Sequence, residues 1–155
     1  MDNIDRKILS CLQSDARITN VSLAEQVNLS PAPCLRRVRE LEESGIINSY
    51  TTLLDPDKVG WGVSVFIEVR LEKQVVNCLQ VFEETILGFP EVMECYLMTG
   101  TSDYLLRVVA RDLKSLQSFI TDKLAGIPGV SNMQSSVALK QVKYKTALPI
   151  LNPDK

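Results

Sequence analysis

Histidine is absent: none occurs among the 155 residues of the chain. Ser-His-Asp triads, Cys-His pairs and HExxH zinc sites all need its imidazole and are excluded together. No apolar run approaches the roughly 20 residues of a membrane-crossing helix, so no membrane partner is expected. The N-terminal stretch Met1-Asp2-Asn3-Ile4-Asp5 is acidic and lacks a basic segment leading into an apolar one. Retention in the cytoplasm is the expectation. The four cysteines, Cys11, Cys34, Cys78 and Cys95, form no CxxC pair. They read as small hydrophobes in a reducing compartment, and no metal, cofactor or disulfide is expected. A basic excess is missing too, the net charge being −2. Any DNA binding must then come from a local basic patch presented in several copies.

What is present suits one ordinary domain or two small ones. Apolar residues make up 45% and charged residues 23%, a globular balance. Residues 1–45 read as three helices. Ile4, Ile8, Leu9 and Leu12 recur at helical spacing in the first. Asn20 is the expected cap of a short second helix with Leu23, Ala24 and Val27 inward. Asn28-Leu29 makes a tight turn. Ser30 caps the third helix, and Pro31 occupies a first helical position where no hydrogen bond is lost. That helix runs to Ser44, and Gly45 ends it. Ile46 to Leu54 reads as a strand leading out. The expected division is 1–54, a linker at 55–62, and 63–155.

The third helix carries the first candidate site. Cys34, Leu35, Val38 and Leu41 form an inward stripe, with Ala32, Arg36 and Arg39 opposite and Arg37 at the margin. A short helix, a tight turn and a helix rich in arginine fit docking in a DNA major groove. Small Ala32 and Pro33 allow close approach to base edges, and the helix start favours phosphate. Arg36 can meet a guanine edge or a phosphate. The plain alternative is a solvated face with Arg36-Glu40 and Arg39-Glu43 pairs. Against DNA binding, residues 1–54 hold six basic and seven acidic side chains, so the acids must face elsewhere. The candidate DNA-binding residues are Asn20, Ser30, Pro31, Ala32, Pro33, Arg36, Arg37 and Arg39.

From Val63 the period changes to two: Val63, Val65, Ile67, Val69 and Leu71 alternate with Ser64, Phe66, Glu68, Arg70 and Glu72. A helix with Val75, Leu79, Phe82 and Ile86 follows. Strands are expected at about 91–98 and 103–110. A second helix carries Leu113, Leu116, Ile120 and Leu124, and a last strand runs from Val130 to about Val142. Phe89-Pro90-Glu91-Val92 and Ile127-Pro128-Gly129-Val130 repeat 38 residues apart, each closing a helix and opening a strand. The order is strand-helix-strand, twice, the ferredoxin-like βαββαβ arrangement with two helices on one face of an antiparallel sheet. The other face, with Phe66, would stay exposed in one copy, which predicts dimerisation through it.

Four motifs together resemble the Lrp/AsnC family, nearest its leucine-responsive branch. They are Asp5-Arg6-Lys7-Ile8-Leu9 with Asp15-Ala16-Arg17-Ile18; Leu23-Ala24 with Leu29 to Val38 and Leu41 to Ile47; Tyr50 to Pro56; and Glu94 to Leu106. The resemblance implies an α+β chain, with a winged-type helix-turn-helix ahead of a ferredoxin-like, ACT-like domain. It implies a transcription regulator, not an enzyme, bound to double-stranded DNA and associated with the nucleoid. It also implies self-association into dimers and higher rings such as octamers. A small amino-acid effector, leucine or another apolar amino acid, is implied near the turn Met98, Thr99, Gly100, Thr101, Ser102, Asp103 and Tyr104. Asp103 would accept from the effector's ammonium and the amides of Gly100 to Ser102 would donate to its carboxylate. Gln134, Ser135 and Ser136 would line the same pocket from a neighbouring copy. Taken alone, the turn also reads as an ordinary hairpin with Gly100 at an unusual backbone angle and Asp103 closing an Asx-turn. The short lead into the first helix puts in doubt any DNA contact by an N-terminal arm. Two rivals stand beside this reading. Sirohaem decarboxylases resemble the same family, but their chemistry depends on histidine. An architectural DNA-binding protein would need no effector.

Overall fold

A computed structural model describes residues 1–72 and 77–150. The described residues form two compact units: 1–53 with 142–150, and those within 54–141. The expected second domain runs on past Gln141, where the described chain turns to pack with the helical unit. There the Gln13 side-chain amide grips Leu148: Nε2 donates to the Leu148 carbonyl at 3.1 Å and Oε1 accepts from its amide at 2.6 Å. Gln13→Ala should free this tail while leaving the helices intact, read as faster proteolysis between 142 and 150 at an unchanged melting temperature.

The helical unit comprises α1 (Asn3–Ser14), α2 (Asn20–Gln26) and α3 (Pro31–Glu43). Helix α1 opens on a reciprocal cap: the Asp2 carboxylate accepts from the Ile4 and Asp5 amides, and Asp5 accepts from the Asp2 amide. Ile8, Leu23, Ala24, Val27, Cys34 and Leu41 form the buried core. Asn28 takes the left-handed conformation (φ +57°) between α2 and α3, and the Leu29 amide closes the turn on the Ala24 carbonyl at 2.9 Å. Gly45 (φ +75°) ends the third helix as expected.

Two local expectations fail here. Thr19, not Asn20, caps α2, its hydroxyl accepting from the Ser22 amide at 3.1 Å. Ile46 to Leu54 is not a strand, because this unit offers it no second strand, among the described residues, to complete a ladder.

The second unit follows the order β1 (Val63–Leu71), α4 (Cys78–Leu87), β2 (Val92–Leu97), β3 (Tyr104–Ala110), α5 (Leu113–Ser118), a π-helical stretch Phe119–Leu124, and β4 (Val130–Val137). The sheet is antiparallel in the order β2-β3-β1-β4, the expected βαββαβ layout. Val65, Ile67, Val69 and Leu71 point into the core with Phe82, Ile86, Leu106, Val108 and Leu124. The 38-residue repeat is real in three dimensions. The Val92 amide donates to the Phe89 carbonyl at 3.0 Å and the Val130 amide to the Ile127 carbonyl at 3.2 Å. Pro90 and Pro128 take the same turn position in each.

Helix faces are less exact than the strands. Leu79 and Leu113 are exposed, and Cys78 and Phe119 are buried instead. The π stretch adds a residue per turn, which brings Phe119 and Leu124 to the core together. Val75 lies outside the described residues. The last strand stops at Val137, short of the expected 142.

Candidate DNA interface and effector turn

The start of α3 is poorer in donors than its sequence position suggests. Ser30 sits at the cap but its hydroxyl makes no capping bond. A cap hydroxyl bonds the second or third helical amide, and Pro33 removes the third. With Pro31 also lacking an N–H, only Ala32 offers an amide in the first three positions, which weakens the phosphate-binding character expected of this end. Asn20 donates its side-chain amide to the Pro31 carbonyl at 2.8 Å, fixing the start of α2 against the start of α3.

The three arginines of α3 separate. Arg37 turns away to α1: its Nη1 lies 2.8 Å from Asp2 Oδ2 and 2.7 Å from Asp5 Oδ1, and the guanidinium side chain is only 25% exposed. It is a brace for the helical unit, where the sequence had placed it among DNA-facing groups. Arg36 extends into solvent, 72% exposed, with Glu40 at 3.7 Å. Arg39, Pro31 and Ala32 are exposed, and Pro33 is half-buried. Leu35 is exposed as well, not part of the inward stripe.

The brace has a pH signature. The Asp2 carboxyl is held below its ordinary range, first by the Asp5 amide, against desolvation, with Arg37 and the Ile4 amide adding. A depressed carboxylate stabilises the fold fully above its unfolded pKa and loses that contribution as pH falls through the folded value. Thermal melts of the full chain should therefore be flat from pH 7 to 5 and fall below about pH 4. Arg37→Ala should lower the melting temperature at neutral pH and reduce that acid-side drop. An unaltered acid limb in the variant would remove the brace from the account.

In the second unit the turn between β2 and β3 is tied at its far end. The Met98 amide donates to the Asp103 carbonyl at 2.8 Å, and the Asp103 amide to the Val69 carbonyl at 2.9 Å. Asp103 Oδ2 accepts from the Leu71 amide at 2.8 Å, where the β1–β4 register shifts between Arg70 and Leu71. Tyr104 is buried. Its hydroxyl donates to Glu83 Oε1 of α4 at 2.7 Å and its ring lies 4.6 Å from that of Phe82. Burial first, then the Glu83 carboxylate, hold the phenol protonated well above its usual range.

Met98, Thr99, Gly100 and Thr101 are exposed and Ser102 is half-buried. Gly100 has φ +123°, with open space where a Cβ would stand, so the backbone angle alone demands glycine. The structure thus brings residues 98–104 together. It does not bring Gln134, Ser135 and Ser136 to them, because β1 and β3 intervene, two or three strand spacings or about 10–14 Å. Gln134 faces Glu68, and Ser136 faces Phe66, on the outer sheet face; Ser135 pairs with Ile67 and points the other way. That outer face is mixed in character. Phe66 and Tyr96 are exposed beside an Arg107–Glu94 pair at 2.6 Å, and Tyr96 donates to the same carboxylate at 2.9 Å.

Sequence reasoning missed Glu83 and the Leu71 amide as anchors of the turn, and Asp2 and Asp5 as partners of Arg37. These contacts span 21 to 35 residues, so no local spacing announces them.

Comparison with known proteins matches residues 64–148 to the Lrp/AsnC ligand binding domain and residues 1–48 to a winged helix-turn-helix DNA-binding domain. The Bkd operon transcriptional regulator of Pseudomonas aeruginosa is 47% identical over 150 residues, covering 97% of this chain and 98% of that one. The leucine-responsive regulatory protein of Escherichia coli is 38% identical, covering 97% and 92%. A transcriptional regulator of Neisseria meningitidis, solved as its L-Met complex, superposes with a TM-score of 0.93 at 42% identity over 96% of each chain.

Proposed function

This chain belongs to the Lrp/AsnC family, and from that premise we propose how its residues divide the work of a DNA-binding transcription regulator with an amino-acid-binding domain. Helix α3 enters the DNA major groove with Arg36 and Arg39 toward base edges or phosphates, and with Pro31, Ala32 and Pro33 close to the groove. The observation that carries this is the sorting of the arginines. Arg36 and Arg39 are exposed on the outer side of α3, while Arg37 is occupied by two carboxylates. Asn20 holds the two helices in register and Ser30 begins the reading helix.

The effector is an apolar amino acid held at residues 98–104. The Neisseria relative's L-Met complex and the leucine-responsive name of the E. coli relative support that class. The amides of Gly100 to Ser102 take the ligand carboxylate, and Asp103 faces the ammonium with the oxygen not bonded to Leu71. A second copy supplies Gln134, Ser135 and Ser136. Copies pair through the outer sheet face and assemble further into rings. Paired heads then reach grooves about 34 Å apart, and assembly multiplies weak contacts. This is how a chain of net charge −2 holds DNA in the cytoplasm, at the nucleoid. The effector acts by favouring one assembly over another. No catalytic step belongs to this reading, and the relatives matched are named as regulators.

A thermal-shift screen of the twenty amino acids tests it. One or more apolar amino acids should raise the melting temperature and change the mobility-shift pattern on DNA. DNA binding indifferent to all twenty would favour an effector-independent architectural role.

A further inference from the structure

We infer that Leu35 is a specificity residue of the DNA face, lying against the C5-methyl group of thymine; this rests on the DNA-binding reading of α3 given above. The inward side of α3 is marked by Cys34, which is fully buried, with Leu41 5% exposed and Val38 half-buried. One residue on from Cys34 is a rotation of about 100°. Leu35 consequently leaves the core and is 38% exposed. A lone exposed leucine is ordinary. This one differs in its neighbours. Ala32, Leu35 and Arg39 stand at i, i+3 and i+7 along one ridge, and Arg36 lies beyond it, so the leucine borders the face that carries the exposed cations.

The chemistry narrows what such a group can read. Guanine and adenine offer hydrogen-bonding edges in the major groove and cytosine a donor, none of which an alkyl chain can use. Thymine alone presents a methyl group there. Arg36 and Arg39 read acceptors or phosphates and are blind to that methyl. Leu35 supplies a preference for thymine at a position flanking the arginine contacts.

The test uses the full-length protein and a duplex recovered by selecting it against a randomised DNA pool. That duplex is then made again with uracil in place of thymine, which removes only the methyl groups. Wild-type affinity should fall about fourfold for each methyl contacted, the equivalent of one buried CH₂. Leu35→Ala should bind the thymine duplex correspondingly more weakly and show no further loss with uracil. Leu35→Met, which keeps a long apolar chain, should retain the thymine preference. Wild-type protein binding both duplexes equally, or Leu35→Ala keeping the full uracil penalty, overturns the assignment while leaving DNA binding intact. Failure of the wild-type chain to select any duplex overturns the reading of α3 itself, and this inference with it.

Discussion

Replacing Arg36 by alanine is expected to lower affinity for a selected duplex ten- to a hundredfold while leaving the melting temperature within about a degree. A well-placed arginine contact to a base edge carries roughly 1–3 kcal/mol, about five- to 150-fold for one DNA-reading head. Stability should not follow. The Arg36 side chain is 72% exposed, and its one ion-pair partner, Glu40, is 62% exposed at 3.7 Å. Such a surface pair contributes little to folding. Arg37→Ala should give the opposite pattern. It breaks two short charge-assisted bonds to Asp2 and Asp5, which lowers the melting temperature, and it alters DNA affinity only as far as the helical unit loosens. Arg39→Ala should resemble Arg36→Ala, with a flatter salt dependence where its contact is to phosphate. Anisotropy titrations at two salt concentrations, set beside melts of the same samples, separate the three. Unchanged affinity in Arg36→Ala would take α3 out of the groove.

The contrast between adjacent arginines shows where sequence stops being sufficient. The helix-turn-helix outline was legible because it is written in local signals: apolar spacing, the Asn28 turn, Pro31 at the helix start and Gly45 at its end. The direction of a marginal side chain was not. Arg37 sits 100° from Arg36, and only the arrival of the α1 cap, with its two carboxylates, decides its fate. The same holds for Asn20. Its residue type suits a cap, but Thr19 one position earlier has the extended backbone a cap needs, and the freed amide of Asn20 finds the Pro31 carbonyl. Ser30 fails as a capping group because a second proline, Pro33, deletes one of the amides its hydroxyl could have served.

In the second unit, strand alternation fixed the buried face of β1 residue by residue, since a period of two leaves no intermediate positions. Helices blur this. A π-helical stretch inside the second helical segment slides Phe119 into the core, and no spacing in the sequence marks it. The turn proposed to hold the effector was recognisable from its glycine and from the resemblance. Its anchors were not, because Leu71 contributes a backbone amide and Glu83 belongs to another element. Tail residues 142–150 read as continuous with the second domain, and the contact that ties Leu148 to Gln13 on α1 lies 135 residues away in sequence.

Asp103 gives the sharpest division between holding the turn and holding the effector. Its Oδ2 accepts from the part-buried Leu71 amide, so Asp103→Ala leaves that donor without its partner, a cost of about 1–3 kcal/mol. The turn loosens, and the response to an apolar amino acid should vanish for that reason alone. Asp103→Asn separates the two roles. An asparagine oxygen can accept from Leu71 as the carboxylate does, so the melting temperature should stay close to that of the wild type. What it loses is the negative charge proposed above to face the effector's ammonium. Effector affinity in calorimetry should fall about tenfold, as expected when a charge-assisted bond of roughly 1.5–3 kcal/mol is replaced by a neutral one of roughly 0.5–1.5 kcal/mol. DNA affinity without effector should be unaltered in both variants, because the aspartate's bonds to Val69, Leu71 and Met98 lie within the sheet unit. An asparagine variant that binds the effector as tightly as wild type would make Asp103 a positioning residue only. The ammonium would then be left to the backbone carbonyls of the turn or to a neighbouring copy.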